Sequence, residues 1–334
     1  MNKYLIIKGC AGLGNRLMTI CAAIEYCKKT NRILFVDWTD GQFGEAGVNA
    51  FNDFFEIKNF PVILNLEEII NFDKLTTYPE IWGTQPLKNI YDIYIQEGNN
   101  YFQKLPNKLL FGRLKMLPAY WKYMGESNEK AKYEMIDSFK ALFRKNDLLF
   151  GGDLSLGINE DVIFYADFRP NYSDKTFLRY IFLKESIQHK VNDIALKWRL
   201  DDNTIGVNVR STDKKPLNSI EFLFEKIDNM PLHNPTVYLA TDNKKILERF
   251  KIKYTRLVFY ERFLPDVTTE GIHQWSLYQN KPKYAKQILY DSIMQLWLLS
   301  KCQYVFYQGN SSFSILAKML HMDKGKSFNW DSEN

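Results

Sequence analysis

The residues in this chain best suited to chemistry are glycines, arginines and hydroxyl side chains. The first group is GCAGLGNR (9–16), where Gly9, Gly12 and Gly14 separate an apolar run from an amphipathic one. The spacing is G-x-x-G-x-G. It is not the dinucleotide fingerprint G-x-G-x-x-G, and no G-K-[ST] follows to make a P-loop. Hydride transfer and nucleoside triphosphate hydrolysis are therefore disfavoured. Glycines let backbone N–H groups approach a ligand closely, and a helix N-terminus favours an anion. Asn15 and Arg16 follow at once, and Arg16 would add a positive charge. The same glycines also suit a plain strand-to-helix turn with no ligand.

Three more groups stand at expected strand ends. In IGVNVRSTDKK (205–215), Arg210 leaves a strand and is followed by Ser211, Thr212, Asp213 and Lys214. Side chains leaving the C-terminal ends of parallel strands point into the ligand crevice, and arginine there suits bidentate phosphate binding. The alternative is a surface ion pair between Arg210 and Asp213. In YQGNSSFSILAKM (307–319), Ser311 and Ser312 either cap a helix or present hydroxyl and N–H groups to a phosphate. In YLATDN (238–243), Asp242 either holds a ribose or base, or caps the next helix.

Nothing in the chain spells a metal site. His189, His233, His273 and His321 are scattered, and no D-x-D occurs. Diphosphate charge would then be met by arginine, lysine and backbone amides. Cys10, Cys21, Cys27 and Cys302 form no C-x-x-C and read as reduced core thiols.

The elements that must position these groups follow from periodicity. YLIIKG (4–9) is a short buried strand, residues 15–30 have helical spacing with one apolar face, and RILFVDW (32–38) is a second strand. That is a βαβ unit. FNDFFEI, LEEIINF and NEKAKYEMIDSFKALFRK look helical, and DVIFYAD (161–167) fits a strand. From 186 onward helices (186–199, 219–230, 243–251, 285–302, 311–320) alternate with strands (204–211, 236–242, 256–261, 304–309). The fold class is α/β, with two Rossmann-like domains, 1–170 and 171–334, facing a cleft. The boundary is set at RPNYSD (169–174), a turn-forming stretch.

Taken together and in this order, the blocks resemble a known family. GLGNRL resembles the G-x-G-N-[QR]-[LM] turn of fucosyltransferases, and VNVRSTDK resembles their H-V-R-R-T-D-K segment. YLATDN and GNSSFSILA resemble their later strand-end blocks. The resemblance is to the α-1,2/α-1,6/protein O-fucosyltransferase superfamily, nearest its nodulation-type and α-1,6 branch. It spans residues 9 to 320. It implies a GT-B-like fold, GDP-fucose as donor, a glycan hydroxyl as acceptor and a metal-independent inverting transfer with no cofactor. Carried over, Arg210 grips the donor diphosphate and stabilises the leaving GDP. Gly12, Gly14, Asn15 and Arg16 line the donor pocket, Ser311 and Ser312 sit on the phosphates, and Asp242 lies nearby.

The chain also departs from the family pattern. Ser211 stands at the second arginine and Asn208 at the histidine. Gln295 stands at the aspartate for guanine, with Asp291 one turn away. The acid expected soon after T-D-K is missing, and the nearest is Glu221. Asp213 and Glu221 are the candidates to take the acceptor proton, with Asp37 and Asp40 offered by the N-terminal half. These departures keep two alternatives open: another nucleotide sugar as donor, or a non-catalytic glycan- or nucleotide-binding protein.

Composition agrees with a folded α/β chain: 334 residues, 46% apolar and 25% charged, enough to bury a substantial core. The net charge of +5 without a Lys/Arg block argues against nucleic acid and suits an anionic small ligand or an acidic membrane surface. With no signal peptide and no apolar run long enough to span a membrane, the expected location is the cytoplasm or the inner face of a membrane carrying the acceptor. YDIYIQEGNNYF (91–102) and LPAYWKYMG (117–125) offer rings either to a sugar acceptor or to core and surface.

Overall fold

The computed structural model describes residues 2–88, 93, 154, 157–167, 179–264, 271–272 and 282–332. Two five-stranded parallel sheets carry the architecture. The first sheet contains β1 (Lys3–Lys8), β2 (Arg32–Asp37), β4 (Val62–Ile63), β5 (Thr77–Tyr78) and β6 (Val162–Tyr165), in the order β4-β2-β1-β6-β5. The second contains β8 (Thr204–Val209), β9 (Thr236–Thr241), β10 (Leu257–Phe259), β11 (Tyr304–Tyr307) and β12 (Ser327–Asn329), in the order β10-β9-β8-β11-β12. Strands β1 and β8 are the central strands, so the chain reverses its direction of winding beside each. That is where a doubly wound sheet opens a crevice. The glycine turn leaves β1 and Arg210 leaves β8, at equivalent places in the two sheets.

The helices form where apolar periodicity and caps agree. α1 (Leu13–Thr30) ends on Asn31 in the left-handed conformation (φ 54°), with Lys28 and Lys29 in its last turn. It does not have a single apolar face. Met18, Ala22 and Tyr26 are buried along with Leu17, Ile20, Cys21 and Ile24. The outer side of α1 is covered by α8 (Ser312–Leu320), from the other half of the chain. α7 (Ala285–Leu299) is buried on nearly all sides in the same way. One core cluster therefore runs from Leu5, Leu17 and Trp38 to Leu289, Leu296 and Leu316, and joins the two sheets. α4 (Glu185–Trp198), α5 (Ile220–Asp228) and α6 (Lys244–Lys253) are amphipathic and cover the second sheet.

Between β2 and β4 the chain is less helical than its composition suggests. Within FNDFFEI, α2 (Phe51–Phe54) is a single turn. β3 (Phe55–Ile57) follows and pairs antiparallel with β7 (Ile181–Leu183). LEEIINF holds the 3₁₀ turn Leu66–Glu68, where Glu68 folds back to accept from the N–H groups of Leu64 and Asn65 (2.8 and 2.9 Å), and the start of a second 3₁₀ turn at Phe72. α3 (Ile81–Thr84) buries Trp82 against Phe164 of β6. The helix expected at 128–145 and the aromatic stretches 91–102 and 117–125 lie outside the described residues, apart from Ile93. Among the described residues no helix is long and apolar enough to cross a membrane. All four cysteines are buried thiols in no disulfide.

Candidate functional site

Where β8 ends, the backbone N–H of Arg210 donates to Gln308 Oε1 at 2.9 Å, which ties β8 to the end of β11. The Arg210 guanidinium then lies between two carboxylates. Its Nε donates to Asp242 and its Nη2 to Asp213. Asp242, 3% exposed, also accepts from Ser211 N (2.8 Å) and Thr212 Oγ1 (2.7 Å). Asp242 is not a helix cap; Asn243 caps α6 instead. Burial works against the Arg210 charge, but Asp242 and Asp213 more than reverse that. Its pKa lies above the ordinary guanidinium value.

Beside this knot, α7 and the chain following β10 supply a second polar group. Arg262 Nη1 donates to Gln295 Oε1 at 2.8 Å and Nη2 to Ser292 Oγ at 3.4 Å, while its buried Nε has no partner. Burial pulls the Arg262 pKa down, against the opposing pull of Asp291 and Asp242. Asn208 is buried in β8. Its Nδ2 donates to Ala240 O at 3.0 Å and its Oδ1 has no partner. Buried polar atoms left unmatched are costly, so Arg262 Nε and Asn208 Oδ1 mark places where a ligand would complete the bonding. Asp291 sits behind them. It accepts from Gln287 Nε2 (2.7 Å) and Phe263 N (3.4 Å), and burial pushes its carboxyl up.

The N-terminal half brings the glycine turn against this wall. Gly12 is the N-cap of α1. Gly14 is bare for a reason its sequence context hides. A Cβ there would lie 2.5 Å from the Ser312 carbonyl carbon, so the starts of α1 and α8 meet backbone to backbone. Ser311 takes the capping role, its hydroxyl accepting from Ser314 N. The two helix N-termini thus open on one cleft, which Asn15 and Ser312 also line.

Arg16 departs from expectation. It is 2% exposed and turns away from the cleft into the N-terminal core. Nη1 and Nη2 pair with Asp40, Nη2 also reaches Gln42 Oε1 (2.9 Å), and Nε reaches the Ala11 carbonyl (2.9 Å). The guanidinium packs on Trp38 and Phe43. These partners hold the guanidinium inside the N-terminal core, so Arg16 is a positioning residue for the turn.

The cleft is open to solvent and holds about 160 Å³ of cavity volume. It gathers Gly12, Gly14, Asn15, Asn208, Arg210, Asp213, Asp242, Gln295, Ser311 and Ser312 of the residues singled out in the sequence. Glu221 is not among the lining residues. It stands on α5, its side chain 71% exposed, paired with Arg249. Asp37 is also spent, accepting from Lys8 Nζ (2.6 Å) and Thr39, while Asp40 is closed by Arg16. Asp291 lies behind the wall rather than on it.

Sequence reasoning missed Arg262, Gln308 and Phe43. Arg262 was within reach of the rule that found Arg210, since it too follows a parallel strand. Gln308 was hidden because it acts on backbone. No group of three His, Cys, Asp or Glu side chains suited to a metal occurs among the described residues.

Three solved structures give the fold its context. The fucosyltransferase NodZ from Bradyrhizobium is 15% identical, with 96% of this chain and 94% of that one covered and a TM-score of 0.60. NodZ α-1,6-fucosyltransferase soaked with GDP-fucose is 17% identical (96% and 93% covered, TM-score 0.59). The same enzyme co-crystallised with GDP is 16% identical (96% and 93% covered, TM-score 0.59). No family model and no curated protein matches the chain in sequence. The chain therefore has the GT-B-like α/β fold of these fucosyltransferases, as its strand-end blocks led us to expect.

Proposed function

From the fold this chain shares with the solved fucosyltransferases, we propose that it is a glycosyltransferase that moves fucose from GDP-fucose to a glycan hydroxyl, with inversion and without a metal. The observation that carries this reading is the convergence of Arg210 and the N-termini of α1 and α8 on one cleft between the two sheets. Helix N-termini and a guanidinium favour a diphosphate, and they favour it more as charge builds on the leaving group.

In this reading the acceptor oxygen attacks C1 of fucose from the face opposite GDP. The C1–O bond breaks and its electron pair leaves on the diphosphate. The hydroxyl proton goes to a base on the acceptor side; Asp213, seated on Arg210, stands on the diphosphate side. Arg210 and the amides at Ser311 and Ser312 take up the growing charge, with Lys214 at the rim. Asn208, Gln295 and Arg262 face the nucleoside.

A second reading keeps the chemistry and changes the donor. Gln295 Oε1 already accepts from Arg262 Nη1 and is no carboxylate, so the wall differs from one built to accept from guanine N–H groups.

The test is hydrolysis of a panel of nucleotide sugars by wild type and Arg210→Ala in EDTA. GDP-fucose should be cleaved slowly, and the variant should lose the activity. Preference for another sugar nucleotide would move the donor claim to the second reading. Absence of any turnover would leave a binding protein.

A further inference from the structure

The C-terminal side of the cleft is built from strand-end loops, and one short stretch of chain outside the cleft holds them. β12 ends at Asn329, and Trp330 and Asp331 follow. Asn329 Oδ1 accepts from Gly309 N at 3.0 Å, on the turn that leads from β11 into α8. A Cβ at Gly309 would stand 2.5 Å from the Asn329 amide nitrogen, so that turn is fitted to this side chain. Trp330 is fully buried, and its Nε1 donates to the Asn208 carbonyl at 3.1 Å, near the end of β8. Asp331, 2% exposed, accepts on one oxygen from both Leu217 N (2.6 Å) and Asn218 N (2.8 Å). Asn218 Nδ2 reaches back to the Ser332 carbonyl at 3.0 Å. Three consecutive residues thus hold three points of the backbone around the cleft.

The loop from β8 to α5 brings Arg210 and Lys214 to the cleft. Gln308 and Asp242 hold its first residues, and Asp331 holds Leu217 and Asn218 at its far end. Asn310 adds a longer bond to the Lys215 carbonyl (3.2 Å). Lys214 lies between these anchors, so both ends of the loop set its place. The second oxygen of Asp331 is buried without a partner, and burial pushes the carboxyl up against the pull of the two amides. A buried acid of this kind contributes little to stability. What it fixes is the course of the loop.

We propose that Asn329–Asp331 is a clamp that sets the diphosphate side of the cleft, and that Asp331 is a positioning residue that places Lys214 on the donor's phosphates. The proposal rests on reading the cleft as a nucleoside-diphosphate-sugar site. Asn329, Trp330 and Asp331 are not among the residues lining the cleft, so the clamp acts through the backbone it holds. A misplacement of about 1 Å, caused far from the chemistry, can cost about 10²-fold in rate. Loss of the Asp331 oxygen frees two amides at once and with them the far end of the loop.

The experiment is calorimetric titration of inorganic pyrophosphate and, separately, of GDP, in EDTA. The proteins are wild type, Asp331→Ala, Asp331→Asn, Lys214→Ala and the double variant Lys214→Ala/Asp331→Ala, each checked by thermal melt. Asp331→Ala should weaken both ligands by about three- to tenfold. Asp331→Asn keeps the accepting oxygen and should rescue binding to within about twofold of wild type. With Lys214→Ala in place, Asp331→Ala should weaken pyrophosphate by less than about twofold, whereas general damage to the fold would cost the same in both backgrounds. Three results would overturn the clamp: Asp331→Ala binding like wild type, an equal loss in both backgrounds, or a folded Asp331→Asn that does not recover. If Asp331→Ala fails to fold, Asn218→Ala removes the outer tether alone. It should weaken pyrophosphate by about twofold while Lys214 is present, and unchanged binding would overturn the clamp. If wild type binds pyrophosphate but not GDP, and the coupling to Lys214 is seen, the clamp stands and the guanine-nucleotide reading falls. If wild type binds neither, both fall.

Discussion

Arg16, in the first helical turn after β1, and Arg210, directly after β8, carry the same side chain to different ends. Each belongs to the segment that follows the central strand of a sheet, and each pairs with aspartate. Arg16 is sealed by Asp40, Gln42, a carbonyl and two aromatic rings, and keeps 2% of its surface. Arg210 is held between Asp242 and Asp213, and it lines the cleft. A charge meets a ligand only where its partners leave it on a cleft. A glycine turn and an arginine therefore do not make an anion site until the neighbouring carboxylates are known.

The largest predicted effect separates the two arginines by stability. Arg16→Ala leaves Asp40 buried without its ion partner, so urea unfolding should show a loss of about 3–5 kcal/mol. Arg210→Gln should reverse that pattern. Turnover of GDP-fucose should fall by about 10²–10³-fold, as for loss of a transition-state donor, with a smaller change in the unfolding midpoint than Arg16→Ala gives. Equal stability losses in the two would erase the distinction.

Gly14→Ala probes the place where the halves touch. The new Cβ would press on the Ser312 backbone, so about 1–3 kcal/mol of stability should be lost together with nucleotide binding. The smallest effect concerns the thiols. Burial pushes Cys27 and Cys302 up to about 12, so both stay neutral. Neither should react with a disulfide reagent until the protein unfolds, which mass spectrometry of timed samples would show.

Much of the frame was legible because parallel strands between helices are apolar along their length. β1, β2, β8, β9 and β11 fall where the runs were read. β3 and the 3₁₀ turn at Leu66 were not legible. β3 is decided by pairing with β7, more than 120 residues away, and the turn by one Glu68 side chain folding back. In the site, strand-end position found Arg210 and Asp242 because topology alone aims them at the crevice. It misjudged Arg16, whose fate depends on Asp40 and Gln42 two dozen residues later. It also overrated Glu221, which helix periodicity turns outward to Arg249. Gly14 was noticed for ligand approach, yet what requires it is a helix from the other half of the chain.

The most direct test of the cleft as a nucleoside-diphosphate-sugar site is a calorimetric titration of GDP, in EDTA, into wild type, Arg210→Gln and Glu221→Gln. Wild type and Glu221→Gln should bind one GDP with the same affinity, and Arg210→Gln should bind at least about tenfold more weakly. If wild type takes up no GDP, or Arg210→Gln binds it as well as wild type does, the assignment of this cleft is wrong.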